Sequence, residues 1–175
     1  MSKGLVHVYT GDGKGKTTAA LGVALRALGW NLKVSMVQFI KGYPQIGEMK
    51  FAERFPGQLD IRQFSVDAAR DIDETKVMER RAQAEEAISY AESIIFGGEY
   101  DIVILDEINN AMHYGLIDVE RVLELIKNKP PFQELILTGR NAPQEVIEAA
   151  DYVTDMRSVR HPYEKGIAAR PGIDY

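Results

Sequence analysis

Between Leu5 and Leu28 the chain runs from a short apolar stretch, Leu5-Val-His-Val-Tyr9, through Thr10-Gly11-Asp12-Gly13-Lys14-Gly15-Lys16-Thr17-Thr18 into an Ala- and Leu-rich segment. A strand that turns through glycines directly into a helix constrains the fold more than any other feature of the sequence. Closely spaced glycines let backbone N–H groups turn inward, and the helix that follows directs its positive end at the same point. Lys14 and Lys16 add cationic charge, and the Thr17 hydroxyl adds a hard oxygen suited to Mg²⁺. Together these make a cradle for a phosphate chain, a P-loop spanning Thr10 to Thr18. A dinucleotide fingerprint is excluded, because G-x-G-x-x-G needs glycine at position 16, where lysine stands.

The loop departs from the general pattern. G-x-x-x-x-G-K-[ST] has four residues between its first glycine and the Gly-Lys pair, whereas only Asp12, Gly13 and Lys14 separate Gly11 from Gly15. A loop contracted by one residue holds a polyphosphate differently from an ordinary kinase or ATPase loop, so γ-phosphoryl transfer does not follow from the motif.

Short apolar runs alternate with helical stretches along the whole chain. Leu5–Tyr9, Val34–Ile40, Leu59–Phe64, Ile102–Leu105, Glu134–Thr138 and Tyr152–Met156 read as strands, and several are continuous enough to be buried on both faces. Helices are expected over Thr17–Leu28, stopped by Gly29, over Thr75–Phe96, stopped by Gly97-Gly98, from an Asp118 cap to Lys127, and over Pro143–Ala150. Strand-helix alternation in 175 residues without repeats or linkers predicts a single α/β domain over 1–175, a three-layer, mostly parallel sheet with helices on both faces. The acidic segment 65–74 reads as a loop, either a solvated connection or a lid.

Composition removes whole classes of function. With 21 Lys+Arg against 26 Asp+Glu the net charge is −5, which argues against a general nucleic-acid or anionic-membrane binder. No run approaches the ~18 apolar residues of a membrane span, and the apolar stretch after Gly4 is too short for a signal sequence, so a cytoplasmic protein is expected. The absence of cysteine excludes disulfides, thiolate metal sites and thiol redox chemistry.

A second motif complements the loop. Ile102-Val-Ile-Leu-Asp106-Glu107 is an apolar strand ending in two carboxylates, like a Walker B strand. A divalent cation shared with phosphates takes one or two carboxylates plus water, so Asp106, Glu107 and Thr17 are the candidate ligands for Mg²⁺, with Mn²⁺ as an alternative. An Asp-Glu pair that merely caps the next element is the plainer reading. Arg140, in Thr138-Gly139-Arg140, follows a strand and is either a nucleotide contact or a surface arginine. By themselves these residues reach Mg·ATP binding and leave a small-metabolite kinase open.

Taken together, Tyr9–Ala20, Val37-Gln-Phe-Ile-Lys-Gly42, Leu105-Asp-Glu107, Leu137-Thr-Gly-Arg140, Ala150-Asp151 and Gly172-Ile-Asp-Tyr175 resemble the P-loop family of corrinoid (cob(I)alamin) ATP:adenosyltransferases. The likeness spans nearly the whole chain in order. It implies a RecA-like fold, a homodimer, and an enzyme that transfers the 5′-deoxyadenosyl group of ATP to the Co(I) centre of a reduced corrinoid, with intact triphosphate as the leaving group. It further implies ATP lying reversed along the loop, so that Thr10, Gly11, Asp12, Gly13, Lys14, Gly15, Lys16, Thr17, Thr18, Lys41 and Arg140 bind nucleotide. Lys16 and Thr17 are then the catalytic pair. A flavoprotein reductant supplies the electron for Co(II). A nucleotide-gated corrinoid carrier without enzymatic activity is the alternative that the same residues allow.

In the family an aromatic pair near Phe64-Ser-Val66 helps displace the corrinoid's lower ligand. Phe64 is therefore a catalytic candidate, with core packing as its plainer reading, while Val66 stands where tryptophan is often found. Some members carry a longer N-terminal extension than the few residues before Leu5 here, so any cover that extension gives the site is expected to be absent or replaced. His7 reads as a satisfied core histidine, Trp30 as packing, His113 as a candidate ligand contact, and His161 either as a loop residue or, by the resemblance of the tail, as part of a segment reaching the nucleotide or corrinoid.

Overall fold

The computed structural model describes residues 3–40, 46–64 and 74–175. Lys41, Val66 and the acidic segment up to residue 73 lie outside the described residues. Six strands, β1 (Val6–Thr10), β2 (Val34–Gln38), β3 (Leu59–Gln63), β4 (Ile102–Asp106), β5 (Glu134–Thr138) and β6 (Tyr152–Asp155), form one sheet in the order β3-β2-β4-β5-β1-β6. Every pairing is parallel. The connecting helices are α1 (Lys16–Gly29), α2 (Gly47–Ala52), α3 (Glu74–Gly97), α4 (Ile108–His113), α5 (Val119–Asn128) and α6 (Gln144–Ala149).

The continuous apolar strands serve two cores at once. Val103 and Leu105 of β4 pack into the layer holding α3 to α6, while Ile102 and Ile104 pack against α1 and α2. The period of two along a strand sends alternate side chains to opposite faces, and a central parallel strand needs an apolar residue at each position. Each fully buried Val, Leu or Ile contributes about 1.5–3 kcal/mol, so β4 anchors the sheet and holds its terminal carboxylate in place. On α1 the side facing the sheet is Ala20, Ala24 and Ala27, small residues that let the helix lie close.

Strand and helix limits differ from expectation by one or two residues, with three larger departures. Not every apolar run is a buried strand: all four residues of β6 are exposed, because it is an edge strand with only β1 beside it. Trp30 is not packed but 82% exposed, since it follows the last turn of α1 and Asn31, at φ 59°, turns the chain away. The short helices α2 and α4 have no counterpart among the expected elements, having six residues each and no periodic apolar stripe long enough to register. Asp118 sits at the cap position of α5 but makes no side-chain cap hydrogen bond. Among the described residues no helix is long and apolar enough to cross a membrane.

Candidate active site

A parallel sheet places every strand's carboxyl end on one edge, and the crevice there is where such folds bind ligands. On this edge the loop leaves β1, Gln38 ends β2, Asp106 ends β4 and Thr138 ends β5. The loop and Glu107, which follows Asp106, border a cleft of about 760 Å³. One side is polar, lined by residues 12–18, Glu107 and Arg140; the other is apolar, with Leu21, Leu25 and Leu28 of α1 facing Phe51 of α2 and Leu59 of β3.

The glycines of the loop have separate physical reasons. Gly15 caps α1 at φ 123° and Gly11 turns at φ 91°, backbone conformations that other residues rarely adopt. Gly13 is required by crowding instead. A Cβ there would stand 2.5 Å from the Met156 carbonyl oxygen and 2.8 Å from the Arg157 carbonyl carbon. Its N–H donates to the Met156 carbonyl, so this amide fastens the contracted loop to the chain leaving β6.

Lys16 is buried, and its ammonium donates to the carbonyls of Gly11 at 2.6 Å and Gly13 at 2.8 Å. Burial pushes its pKa below the ordinary lysine value, with Arg140 acting in the same direction and Glu107, Asp12 and Asp155 opposing. The ammonium is thus held inside the curve of the loop.

Next to it lies a buried network centred on Asp106. The Thr17 hydroxyl donates to Asp106 Oδ1 at 2.8 Å, the Thr138 hydroxyl to the same oxygen at 2.7 Å, and Gln38 Nε2 to Oδ2 at 3.3 Å. Thr138 Oγ1 also accepts from the Glu107 N–H at 3.0 Å. Glu107 itself has φ 66°, a left-handed conformation uncommon for a glutamate. That turn sends the chain into α4 and leaves Glu107 on the cleft wall. Among the described residues no three His, Cys, Asp or Glu side chains gather as a metal cage. Thr17, Asp106 and Glu107 still suit a cation that draws its other ligands from phosphate and water.

Arg140 also lines the cleft. Its backbone N–H donates to Asn110 Oδ1 at 2.5 Å, its guanidinium reaches the Asp12 carbonyl at 3.4 Å, and Gly139 before it, at φ 126°, leaves no room for a Cβ beside Asn110. Lys14 lies 3.4 Å from the Ile173 carbonyl and 3.9 Å from the Asp174 carboxylate, which brings the 172–175 segment over the loop.

The candidates divide clearly. Asp12, Gly13, Lys14, Gly15, Lys16, Thr17, Thr18, Glu107 and Arg140 meet at the cleft, and Asp106 stands behind Thr17. The Thr10 hydroxyl instead accepts from the Ala142 N–H at 3.2 Å, a structural contact. Phe64 is half-buried against Tyr90, with ring centroids 5.6 Å apart, and does not line the cleft. His161 lines the cleft, as the tail resemblance implies, while His113 is exposed outside it and does not make the ligand contact its sequence position suggests. His7 is satisfied as expected, by Glu134 at 2.6 Å and the Tyr9 hydroxyl at 3.2 Å. Sequence reasoning missed Gln38, Glu48, Asn110 and Thr138. The signal for Thr138 and Gln38 was present, a polar residue closing an apolar strand.

The profile of the ATP:corrinoid adenosyltransferase BtuR/CobO/CobP family matches residues 2–175. The chain is 38% identical over 180 residues to the corrinoid adenosyltransferase of Pseudomonas aeruginosa, covering 99% of this chain and 84% of that protein. It is 35% identical to the corrinoid adenosyltransferase of Escherichia coli K12, covering 99% and 86%, and 36% identical to the corrinoid adenosyltransferase CobA of Salmonella typhimurium, covering 99% and 86%. Solved structures similar in fold include the KaiC-like protein PH0186 of Pyrococcus horikoshii, with TM-score 0.58, 14% identity and coverage of 91% and 76%. The flagellar accessory protein FlaH of Methanocaldococcus jannaschii follows at TM-score 0.56, 14% identity and coverage of 89% and 72%. The fold is therefore the RecA-like α/β arrangement of P-loop proteins, with β5 inserted between the loop strand β1 and the acidic strand β4. Full-length matches to the family and to its members, on a chain whose matching motifs converge on one cleft, make this protein a member of the ATP:corrinoid adenosyltransferase family.

Proposed function

We propose that this chain transfers the 5′-deoxyadenosyl group of ATP to the Co(I) centre of a reduced corrinoid. The observation that carries this reading is the family match over residues 2–175, supported by a cleft with a phosphate-binding side and an apolar side.

In this reaction Co(I) supplies both electrons of the new cobalt–carbon bond. The C5′–oxygen bond of the ribose breaks, and its electron pair leaves with triphosphate. No proton moves, so the protein's work is alignment of C5′ and stabilisation of charge growing on the phosphate chain. Lys16, inside the loop, and the amides of the loop not already spent within the protein face that charge. Lys14 and Arg140 extend the cationic wall, and Lys41 is assigned to the nucleotide by resemblance alone. Thr17, Asp106 and Glu107 would hold Mg²⁺, or Mn²⁺ in its place, which neutralises phosphate charge when bound.

The apolar side, Leu21, Leu25, Leu28 and Phe51, suits the non-phosphate part of the substrates. Phe64 is assigned the lower-ligand side of the corrinoid by resemblance; Phe64→Ala tests this through the optical spectrum of bound Co(II) corrinoid. The same reading includes one functional domain over 1–175, a homodimer, a cytoplasmic location and an external flavoprotein reductant, because the chain has no cysteine with which to deliver electrons. The direct test is incubation with ATP and chemically generated cob(I)alamin. A light-sensitive adenosylcobalamin spectrum is expected, and tight corrinoid binding with no new cobalt–carbon bond would mean a carrier instead.

A further inference from the structure

Gln38 closes β2 and is completely buried. Its side-chain nitrogen is shared between two carboxylates, Asp106 Oδ2 at 3.3 Å and Glu48 Oε1 at 3.2 Å. Its side-chain oxygen is buried and accepts no hydrogen bond among the described residues. An amide placed this way is a poor choice for packing alone, because a buried acceptor without a donor is costly and an apolar side chain of the same length avoids that cost.

The geometry explains what the amide does. Register aligns Gln38 with Asp106 across β2 and β4, so the two side chains leave the sheet together at the cleft edge. Asp106 Oδ1 is already bonded by the Thr17 and Thr138 hydroxyls, and Gln38 takes the other oxygen. The second N–H reaches Glu48 in α2, the six-residue helix that carries Phe51 on the apolar wall of the cleft. No residue of α2 is fully buried; Phe51 and Ala52 are partly buried against the core under α1, and the Gln38–Glu48 bond adds a polar tie at the start of the helix.

We propose that Gln38 is a positioning residue for the cation site: its amide fixes the Asp106 carboxylate and ties it to Glu48, linking the phosphate side of the cleft to the wall formed by α2. This rests on the assignment of Asp106 to cation binding under the proposed function. Outer-shell partners of metal-binding carboxylates hold the ligand's orientation, and their loss costs about 10- to 100-fold in metal affinity.

The test is calorimetric titration of ATP into the purified protein, with Mg²⁺ varied and with EDTA, and no corrinoid present. Gln38→Met keeps length and burial. It is expected to weaken Mg²⁺ binding to the ATP complex about 10- to 100-fold while ATP binding in EDTA stays within about twofold of the parent. Mg²⁺ dependence equal to the parent's, or an equal loss of ATP affinity with and without Mg²⁺, overturns the proposal. Should Gln38→Met not fold, Glu48→Ala carries the test: it frees one end of the tie and shifts Mg²⁺ dependence in the same direction by about threefold, and no shift overturns it. Asp106→Asn separates the two claims. If it keeps the parent's Mg²⁺ dependence, the cation assignment itself fails; if it loses that dependence while Gln38→Met retains it, only the role of Gln38 fails.

Discussion

The Thr138 hydroxyl donates to Asp106 Oδ1 at 2.7 Å and, through the same oxygen, accepts the Glu107 N–H at 3.0 Å. One buried hydroxyl on β5 therefore sets both acidic residues at the end of β4. Thr138→Val keeps the shape and removes the bond, leaving the Glu107 N–H without this acceptor. We expect a stability loss of about 1–3 kcal/mol, read as a lower Tm, together with a reduced rate of adenosyl transfer. An unchanged Tm and rate would show that Thr138 holds neither carboxylate.

Gly13, wedged against Met156 and Arg157, and Gly22, on an open face of α1, are expected to respond oppositely to a methyl group. Gly13→Ala drives a methyl group against the Met156 carbonyl and must displace the loop, so ATP binding is expected to fall sharply. At Gly22, within α1, a methyl group would meet nothing within 4 Å. Gly22→Ala is expected to stabilise the protein by about 0.5–1 kcal/mol through helix propensity alone. Paired thermal melts and ATP titrations check both.

Lys16 illustrates a conflict between stability and function. Lys16→Met removes a buried charge as well as the cation facing the phosphates. Transfer is expected to fall at least about 100-fold, with little or no loss of Tm. The sign of the pH effect follows from its lowered pKa. The unfolded chain binds the proton more tightly, so the parent gains stability relative to Lys16→Met as pH rises toward 10.5, the ordinary lysine value. Alkaline denaturation curves of the two proteins should converge or cross in that direction; parallel curves contradict the account.

Far from the cleft, Arg121 on α5 bonds Glu92 at 2.6 Å and Glu85 at 2.6 Å on α3. Its hydrogen bonds hold the Glu92 carboxyl below its ordinary value of 4.5. The stabilisation is present above pH 4.5 and is lost as pH falls through the depressed value. Because these groups are partly exposed, solvent screening limits the pair to about 1 kcal/mol. Arg121→Ala should lose that increment at neutral pH and show a flatter acid limb, with adenosyl transfer unaltered.

Local signals carried most of this molecule into view. The P-loop was legible because strand, glycines, lysine and hydroxyl are adjacent in sequence, and β4 because an unbroken apolar run ending in Asp106-Glu107 has few other uses. The ties among strand ends were not legible. Gln38, Asp106 and Thr138 meet only because β2, β4 and β5 are neighbours in register, and strand order is not written in any one segment. Gly13 shows the same limit: its need for glycine comes from Met156, 143 positions later. Phe64 was read through the family's aromatic pair, and its contact with Tyr90 became visible only once α3 was laid over the sheet.

Adenosyl transfer differs from phosphoryl transfer in the atom attacked, carbon rather than phosphorus. Phosphorus NMR of a reaction containing ATP, Mg²⁺ and cob(I)alamin reads this directly. Intact inorganic triphosphate accumulating in step with adenosylcobalamin is the predicted result; ADP with phosphate or with a phosphorylated acceptor would contradict it and make this cleft the site of phosphoryl transfer.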